Sequence, residues 1–571
     1  MVNSGSRGRG IAPVDGLSHV RGSTDRPLVE ATLPAFLAEA VRRHSQRTAA
    51  VFRAAGERWS YEQLARRVDR FAAGLLSFGL YKGDRIGIWA PNRPEWLIAQ
   101  FATARVGLIL VNINPAYRTA ELEYALNRVG AKAIVTAQQF KTSAYVEMIR
   151  ELAPELDHCR PGHLRANRLP RLRTVIQLGP DPWPGCLSFD EVMDRGGGGQ
   201  RWRLDAVSEG LRPHDPINIQ FTSGTTGAPK GATLTHHNIV NNAVSCARAM
   251  RLKPGEALCI PVPLYHCFGM VLGNLAAVAR GVTMVFPGEG FDARETLVAL
   301  EAERCTAVHG VPTMFAAMLD HPEFPRFDLS AMRTGIMAGA PCPVSLMHRV
   351  VRDMHCREIT IAYGMTETSP VSFQSDVADS IERRVSTVGR IVPHVEVKVV
   401  DEAGRTTPIG ARGELLTSGY SVMQSYWGDA SATRASIVDG WMHTGDLATV
   451  DAEGYCRIVG RVKDMLIRGG ENIYPAEIED LLLTHPDVST VQVFGVPDEK
   501  YGEEVCAWAV LRPGRCLTED ALREFCRERI AHYKVPRHVR FVTEMPLTAT
   551  GKPQKFRMRE RMIEELGMAG G

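Results

Sequence analysis

The sequence predicts an α/β protein: a large portion of mostly parallel strands covered by helices, followed by a small α+β unit. Three observations predict it. Strand-like and helix-like segments alternate through most of the chain. Several apolar segments run straight into loops of small residues. Beyond about residue 460 the order changes to strand, strand, helix, strand. The 571 residues exceed what one hydrophobic core holds, so several structural units are expected.

The elements follow in order. Residues 1–29 read as a flexible tail; "MVNSGSRGRG" carries Arg7 and Arg9 with no acid before Asp15 and no clear amphipathic helix. Ser60-Tyr61-Glu62-Gln63 reads as a capping box, with Ser60 as N-cap and Gln63 reaching back. Leu64, Val68, Phe71, Ala72, Leu75 and Leu76 then recur at helical spacing, and Gly79 is a stop signal. "DRIGIWA" (84–90) reads as a buried strand, "PEWLIAQFATARVG" (94–107) as a helix opened by Pro94, and "GLILVNI" (107–113) as the next strand. Residues 157–205, rich in Arg, Pro and Gly, read as surface loops around the short strand "TVIQL" (174–178). Near the C-terminus "VSTVQVFGV" and "EVCAWAVL" read as strands, "TEDALREFCRERI" as a helix and "HVRFV" as one more strand. That makes a unit of about a hundred residues.

Composition narrows the function. Apolar residues make up 44% and charged residues 23%, an ordinary globular balance. A net charge of +3 gives no reason to expect nucleic acid or an acidic membrane surface as partner. No apolar run approaches the roughly 18 residues of a transmembrane helix. The twelve cysteines show no C-x-x-C pair or metal spacing, so free thiols and a cytoplasmic location are expected. Of 67 basic residues only eleven are Lys.

One of those eleven lies in "FTSGTTGAPKG" (221–231). "PINIQFTSG" alternates Ile217, Ile219 and Phe221, so a strand feeds the turn. An unbroken run of Gly, Ser and Thr over 222–227 lets backbone N–H groups close on an anion, and Lys230 adds a point charge. This suits a polyphosphate. It is not the Walker pattern, because the sixth position from Gly224 is Pro229. By itself such a stretch reads about equally as a flexible surface turn.

Other segments carry the same ambiguity. "PLYHCFG" (263–269) sets His266 between aromatic residues, either as a pocket wall with a polar tip or as a satisfied core histidine. "MAGAP" (337–341) and "AYGMTETSP" (362–370) are small-residue loops after apolar segments, where parallel sheets form ligand crevices. Tyr363 offers a flat face for a purine, Thr366 a hydroxyl and Glu367 a hard oxygen for Mg²⁺, although a lone Glu is more often a solvated acid. In "DGWMHTGDLATVD" (439–451), Asp446 suits a ribose diol or an ordinary Asx turn. Arg461 follows fifteen residues later, in "GRVKDMLIRGGENIYPAEIE" (460–479), which also holds Lys463 and a Gly pair. "PLTATGKPQK" (546–555) presents Lys552 and Lys555 on a loop stiffened by Pro553. Four of the eleven Lys (Lys230, Lys463, Lys552, Lys555) fall in these few segments. In a chain that otherwise prefers Arg, this points to a need for compact charge.

Taken together and in this order, these motifs resemble the acyl-CoA synthetase branch of the adenylate-forming superfamily, over about residues 30–560. The resemblance implies a large multi-subdomain N-terminal adenylation domain (30–460), a hinge at 461–464 centred on Asp464, and a small mobile α+β C-terminal domain (465–571). It implies ATP, Mg²⁺ and coenzyme A as cofactor and co-substrates. Thr222, Ser223, Gly224, Thr225, Thr226, Gly227 and Lys230 would cradle the triphosphate. Gly339, Ala340, Pro341, Tyr363, Gly364, Met365 and Thr366 would hold adenine and the α-phosphate. Asp446 and Arg461 would hold the ribose, and Glu367 the Mg²⁺. Lys552 would be the adenylation lysine, with Glu367, Thr366 and His266 also placed in the catalytic centre. Gly469, Gly470 and Glu471 match the stretch beside the pantetheine channel. His266, Val271, His309, Gly310, Val311 and Pro312 are expected to line an acyl pocket.

The implied reaction joins a carboxylic acid to CoA through an acyl adenylate, releasing AMP and pyrophosphate. "RTGIMAGAPCP" and the apolar pocket segments resemble the medium-chain fatty acid members most. An aryl or other carboxylic acid is the alternative substrate, and an ATP-binding regulator without catalysis the alternative role. An α-amino acid is not expected, since Gly269 stands where amino-acid-activating relatives carry Asp. The expected partner is the small-molecule acid, with a homodimer as a compatible assembly.

Overall fold

The structure is a computed structural model and is described over residues 12–197, 201–222, 229–469, 471–527, 529–548 and 552–567. The described residues form two compact units. One comprises Arg21–Glu396 and Thr417–Met442; the other comprises Ala12–Val20, Val397–Leu416 and the chain from His443 onward.

The first unit contains two large sheets. In the eight-stranded sheet, Arg85–Trp89 pairs in parallel with Ile109–Asn112 and with Ala133–Thr136, and Ile109–Asn112 pairs in parallel with Pro216–Thr222. The nine-stranded sheet places Glu358–Gly364, Thr334–Ala338, Ala307–Gly310 and Ala257–Cys259 side by side in that order, all parallel. Antiparallel strands such as Val371–Gln374 continue the sheet at its edges. Arg85–Trp89, Ile109–Asn112, Ala133–Thr136 and Ala307–Gly310 are buried along almost their whole length, as expected of parallel strands.

Local signals explain the helices. The helix Tyr61–Leu76 starts at the capping box: Gln63 N–H donates to Ser60 Oγ at 3.1 Å and Ser60 N–H donates to Gln63 Oε1 at 2.8 Å. Such a cap contributes about 1 kcal/mol. Leu64, Val68, Phe71, Ala72, Leu75 and Leu76 are all buried on its inner face.

Two segments depart from the sequence reading. Within the stretch 1–29 that reads as a tail, His19–Arg21 is a strand, Val20 is 1% exposed and Val29 is hydrogen-bonded to Asn241. Residues 157–205 are not simply surface loop. A second capping box, Ser188 with Glu191, opens the helix Phe189–Arg195, and Phe189 stacks on Phe71 with ring centroids 4.1 Å apart. Leu164, Leu169 and Leu172 are each 1% exposed. The Arg, Pro and Gly content masked this, because isolated apolar residues at irregular spacing anchor a segment without giving a period.

The C-terminal portion of the second unit is the expected α+β structure. Val488–Asp498 and Gly502–Leu511 form an antiparallel hairpin, and His538–Phe541 pairs in parallel with the latter. The helices Pro475–Leu482 and Glu519–Arg527 bury Ile478, Leu482, Leu522 and Cys526 in its core. All twelve cysteines are free thiols, and no helix among the described residues is long and apolar enough to cross a membrane.

Candidate active site

Strand order creates the first cluster. Because the four central strands of the nine-stranded sheet are parallel, their carboxyl ends lie along one edge. These ends lead into residues 260–266, 310–312, 339–341 and 363–367, which are far apart in sequence. Open parallel sheets bind ligands at such edges. Two of these segments touch directly: a Cβ placed on Gly339, whose φ is +91°, would lie 3.2 Å from Val311 Cγ1. Gly339, Ala340 and Pro341 are exposed, Tyr363, Gly364, Met365 and Thr366 half-buried, and Glu367 only 5% exposed.

Glu367 lies in the short 3-10 turn Thr366–Thr368. Its Oε1 accepts the Tyr426 hydroxyl at 2.8 Å, and its backbone carbonyl accepts Met423 N–H at 2.8 Å. Among the described residues no cation pairs with it. Burial and the Glu367 carboxylate push the Tyr426 phenol well above its usual range, so it stays a donor. Lys230 Nζ lies 5.1 Å from the centroid of the same ring, a cation–π distance. Pairing explains the convergence: Ala232 stands opposite Tyr426, and Lys230 stands opposite Thr222 in the hairpin that leads into and out of the Gly-rich loop. Ser223, Gly224, Thr225, Thr226 and Gly227 lie outside the described residues. The sequence reading missed Tyr426, because nothing local in "QSYWGD" marks it.

A buried amide ladder holds the His266 segment. Asn112 Nδ2 donates to the Tyr265 carbonyl at 2.8 Å, and Asn218 Nδ2 donates to Asn112 Oδ1 at 2.9 Å. Gln220 Nε2 donates to Asn218 Oδ1 at 2.8 Å, and Cys267 Sγ donates to Gln220 Oε1 at 3.2 Å. Both neighbours of His266 are thereby tied to strands of the eight-stranded sheet. The thiol of Cys267 is pushed up to about 12, chiefly by burial and also by the nearby Glu367 charge. His266 is half-buried, and its Nδ1 accepts Phe268 N–H at 3.1 Å.

The π-helix Phe268–Leu275 follows, buried throughout, Val271 included. Gly269 begins it under tight constraint: a Cβ there would lie 2.4 Å from the Pro263 carbonyl oxygen. A side chain at 269 therefore requires the backbone to move.

His309 is a core histidine. It is fully buried, its Nε2–H donates to the Leu272 carbonyl at 2.8 Å, and its Nδ1 accepts Ile336 N–H at 3.2 Å. It joins the central strands to the π-helix behind the expected pocket, with Gly310, Val311 and Pro312 buried beside it. Burial lowers its pKa to about 4. The unfolded chain takes up this proton near 6.5 and the folded one only near 4, so acid favours unfolding between those values. His309 therefore contributes full stability above pH 6.5 and loses up to about 3 kcal/mol as pH falls toward 4. His309→Gln should melt lower than wild type at pH 7.5 and lose less on going to pH 5. Thermal unfolding at the two pH values checks this; equal losses would contradict it.

The remaining candidates lie in the second unit. Asp446 stands directly opposite Arg461 in the antiparallel hairpin Trp441–Val450 and Cys456–Arg461, and Arg461 Nε lies 2.9 Å from Asp446 Oδ1. Asp446 is nearly buried, while Arg461 is half-exposed. Thr444 supports them: its Oγ1 accepts Asp446 N–H at 3.1 Å and its hydroxyl donates to the Leu415 carbonyl at 2.7 Å. Asp464 ends the one-turn 3-10 helix Val462–Asp464. Gly469, at φ +59°, donates its N–H to the Tyr501 carbonyl at 2.8 Å, and Glu471 is exposed opposite Arg468. Gly470 lies outside the described residues. Lys552 is exposed, and its backbone is held to Thr548: Thr548 N–H donates to the Lys552 carbonyl at 2.7 Å, and Lys552 N–H donates to Thr548 Oγ1 at 3.0 Å. Lys555, by contrast, is tied to Glu479 at 2.7 Å.

The fold, with its large N-terminal part and small C-terminal α+β part, is that of the adenylate-forming enzymes. The profile of the AMP-binding enzyme family matches residues 37–427, and that of the AMP-binding enzyme C-terminal domain matches residues 477–552. The chain belongs to the AMP-binding enzyme family. It is 47% identical over 557 residues to the mitochondrial medium-chain acyl-CoA ligase ACSF2 of Danio rerio, covering 96% of this chain and 91% of that one. The Homo sapiens protein of the same name is 44% identical over 565 residues, covering 97% and 91%. The putative acyl-CoA synthetase YngI of Bacillus subtilis (strain 168) is 45% identical over 545 residues, covering 95% and 99%. Among solved structures, ATP-bound MatB from Rhodopseudomonas palustris superposes with a TM-score of 0.82 at 29% identity, over 94% of this chain and 100% of that one. The anthranilate CoA ligase AuaEII with anthranoyl-AMP gives 0.82 at 25% identity, over 95% and 99%.

Proposed function

We propose that this chain is an AMP-forming acyl-CoA synthetase that converts aliphatic acids of roughly medium length to their CoA thioesters. The observation that carries the reading is the meeting, along one sheet edge, of a buried carboxylate at Glu367 with the apolar segments around His266 and 310–312. Kinship over nearly the whole chain with ligases named for medium-chain acids supports it.

Carboxylate attack on the α-phosphorus brings anions together, so the protein's task is to offset charge. Lys230 and the loop before it hold the phosphates, with Lys230 kept in place against Tyr426. A nearly buried carboxylate whose side-chain partner among the described residues is a phenol is costly unless a cation joins it. Glu367 therefore fits a hard divalent ion, and Mg²⁺ held there would neutralise phosphate oxygens. Tyr426 keeps the Glu367 carboxylate oriented. Tyr363 and the 339–341 loop take the base and α-phosphate. Asp446 accepts from the ribose diol, and Arg461 holds Asp446 in that role. Lys552 meets the charge that gathers at phosphorus. For the second half-reaction, Gly469 and Glu471 border the thiol path, and a turn at Asp464 exchanges them for Lys552. The tight space at Gly269 leaves no room for a carboxylate that would anchor an α-amine, which supports a plain carboxylic acid as substrate. The names of the ACSF2 relatives say mitochondrial, that of YngI does not, and twelve free thiols suit any reducing compartment, the cytoplasm included.

An acid series assayed with ATP, Mg²⁺ and CoA, with AMP release as the readout, tests the substrate. Each buried methylene adds about 0.8 kcal/mol, so kcat/KM should climb about fourfold per carbon until the pocket ends. Octanoate should exceed acetate by orders of magnitude. Acetate or benzoate strongly preferred over octanoate would defeat the proposal.

A further inference from the structure

Three residues outside the site described above bring metal-binding atoms together. Glu30, His214 and His237 each direct a donor atom into one cluster, with all of these atoms within 4.8 Å of one another. His237 Nε2 lies 3.0 Å from Glu30 Oε1, and His214 Nε2 lies 3.9 Å from Glu30 Oε2. The two imidazole centroids are 4.5 Å apart. Two donors on one tetrahedral Zn²⁺ stand roughly 3.3 Å apart, given bonds of about 2.0–2.1 Å. The observed separations bracket that value.

The backbone on either side of each donor is fixed. Val29 N–H donates to Asn241 Oδ1 at 2.7 Å, and Asn241 Nδ2 donates back to the Val29 carbonyl at 3.1 Å. Leu33 N–H donates to His236 Nδ1 at 3.0 Å. Glu30 is thus pinned from both flanks to the helix His236–Ala249, which carries His237. His237 N–H donates to the Pro213 carbonyl at 2.8 Å and His236 N–H to the Asp215 carbonyl at 3.4 Å, which pins His214 to the same helix end. A Glu–His hydrogen bond alone explains the first pair. It does not explain a second, largely exposed imidazole set against the first.

We propose that Glu30, His214 and His237 form a binding site for a borderline divalent cation, best matched by Zn²⁺, that staples the stretch before the helix Leu33–His44 to the start of the helix His236–Ala249. Two nitrogens and one carboxylate suit Zn²⁺ and leave a fourth position for water. The same set disfavours Mg²⁺, which prefers oxygen donors in an octahedron. None of the three residues belongs to the adenylation machinery, so this site is separate from the Mg²⁺ expected at Glu367.

The test uses the full chain, stripped with chelator and titrated with Zn²⁺ alone, as wild type, His214→Ala and Glu30→Gln. Equilibrium dialysis should find one more tight equivalent in the wild type, and His214→Ala should weaken that equivalent at least a hundredfold. Zn²⁺ should raise the melting temperature of the wild type more than that of either variant, whereas any effect of Mg²⁺, bound at Glu367, should be the same in all three proteins. His214 is exposed, so its truncation leaves the fold intact. Equal stoichiometry and affinity in wild type and His214→Ala would overturn the proposal, as would a Zn²⁺-induced rise of the same size in all three proteins.

Discussion

Lys552→Ala should slow acyl-adenylate formation by about two to three orders of magnitude, the usual loss when one group that stabilises transition-state charge is removed. Supplied with preformed acyl adenylate and CoA, the same variant should make thioester at close to the wild-type rate. The structure makes this a clean test. The Lys552 backbone is held by two hydrogen bonds to Thr548, and its side chain is exposed. Truncation therefore removes a charge without opening the core. Lys552→Arg should rescue poorly, because a planar guanidinium does not replace a compact ammonium between oxyanions. Lys555→Ala is the control: that lysine pairs with Glu479 and should matter for stability more than for rate. Pyrophosphate release from ATP and AMP release from the adenylate report the two half-reactions. If Lys552→Ala slows both equally, the assignment of Lys552 to the first alone is wrong.

Glu367→Gln is expected to cut adenylation by a similar two to three orders of magnitude and to raise the Mg²⁺ concentration needed for half-maximal rate. The amide keeps an acceptor for the Tyr426 hydroxyl, so the local hydrogen bond survives while the charge is lost. The melting temperature should hold or rise, since a nearly buried carboxylate no longer needs a cation. Tyr426→Phe leaves the charge and removes the donor; its loss should be smaller, about tenfold, and chiefly in kcat. Kinetics across a Mg²⁺ series, together with thermal unfolding, separate these outcomes. A Glu367→Gln protein that unfolds, or that works normally at low Mg²⁺, would show the carboxylate to be structural.

Much of this molecule was legible along the chain. The capping box at Ser60, the helix that follows, the strand feeding the Gly-rich loop and the α+β character of the C-terminal portion are all local properties. They depend on the 3.6- or 2-residue repeat of apolar side chains and on residues that cap or break it. Asp446 and Arg461 were picked out one at a time, and both lie on one hairpin, where short-range pairing brings them opposite each other. Residues 157–205 read as loops around a short strand because Leu164, Leu169 and Leu172 follow no such repeat, although each is buried.

The sequence by itself determined most strands and helices outside residues 157–205, which loops carry small residues and which positions hold Lys among so many Arg. Only the tertiary structure decided which of them meet. Tyr426 reaches Glu367 across 59 residues because its two-residue strand pairs with the strand that begins at Lys230. His309 became a core histidine because Ile336 and Leu272 arrive on either side of its ring. Asn112, Asn218 and Gln220 look like polar interruptions in apolar strands until the Tyr265–Cys267 segment folds over them. The reason is physical. Periodicity and capping act between neighbours a few residues apart, so they leave a mark on the sequence. Strand pairing and the satisfaction of buried polar groups join residues with no fixed separation, so the partner is known only once the sheets have formed.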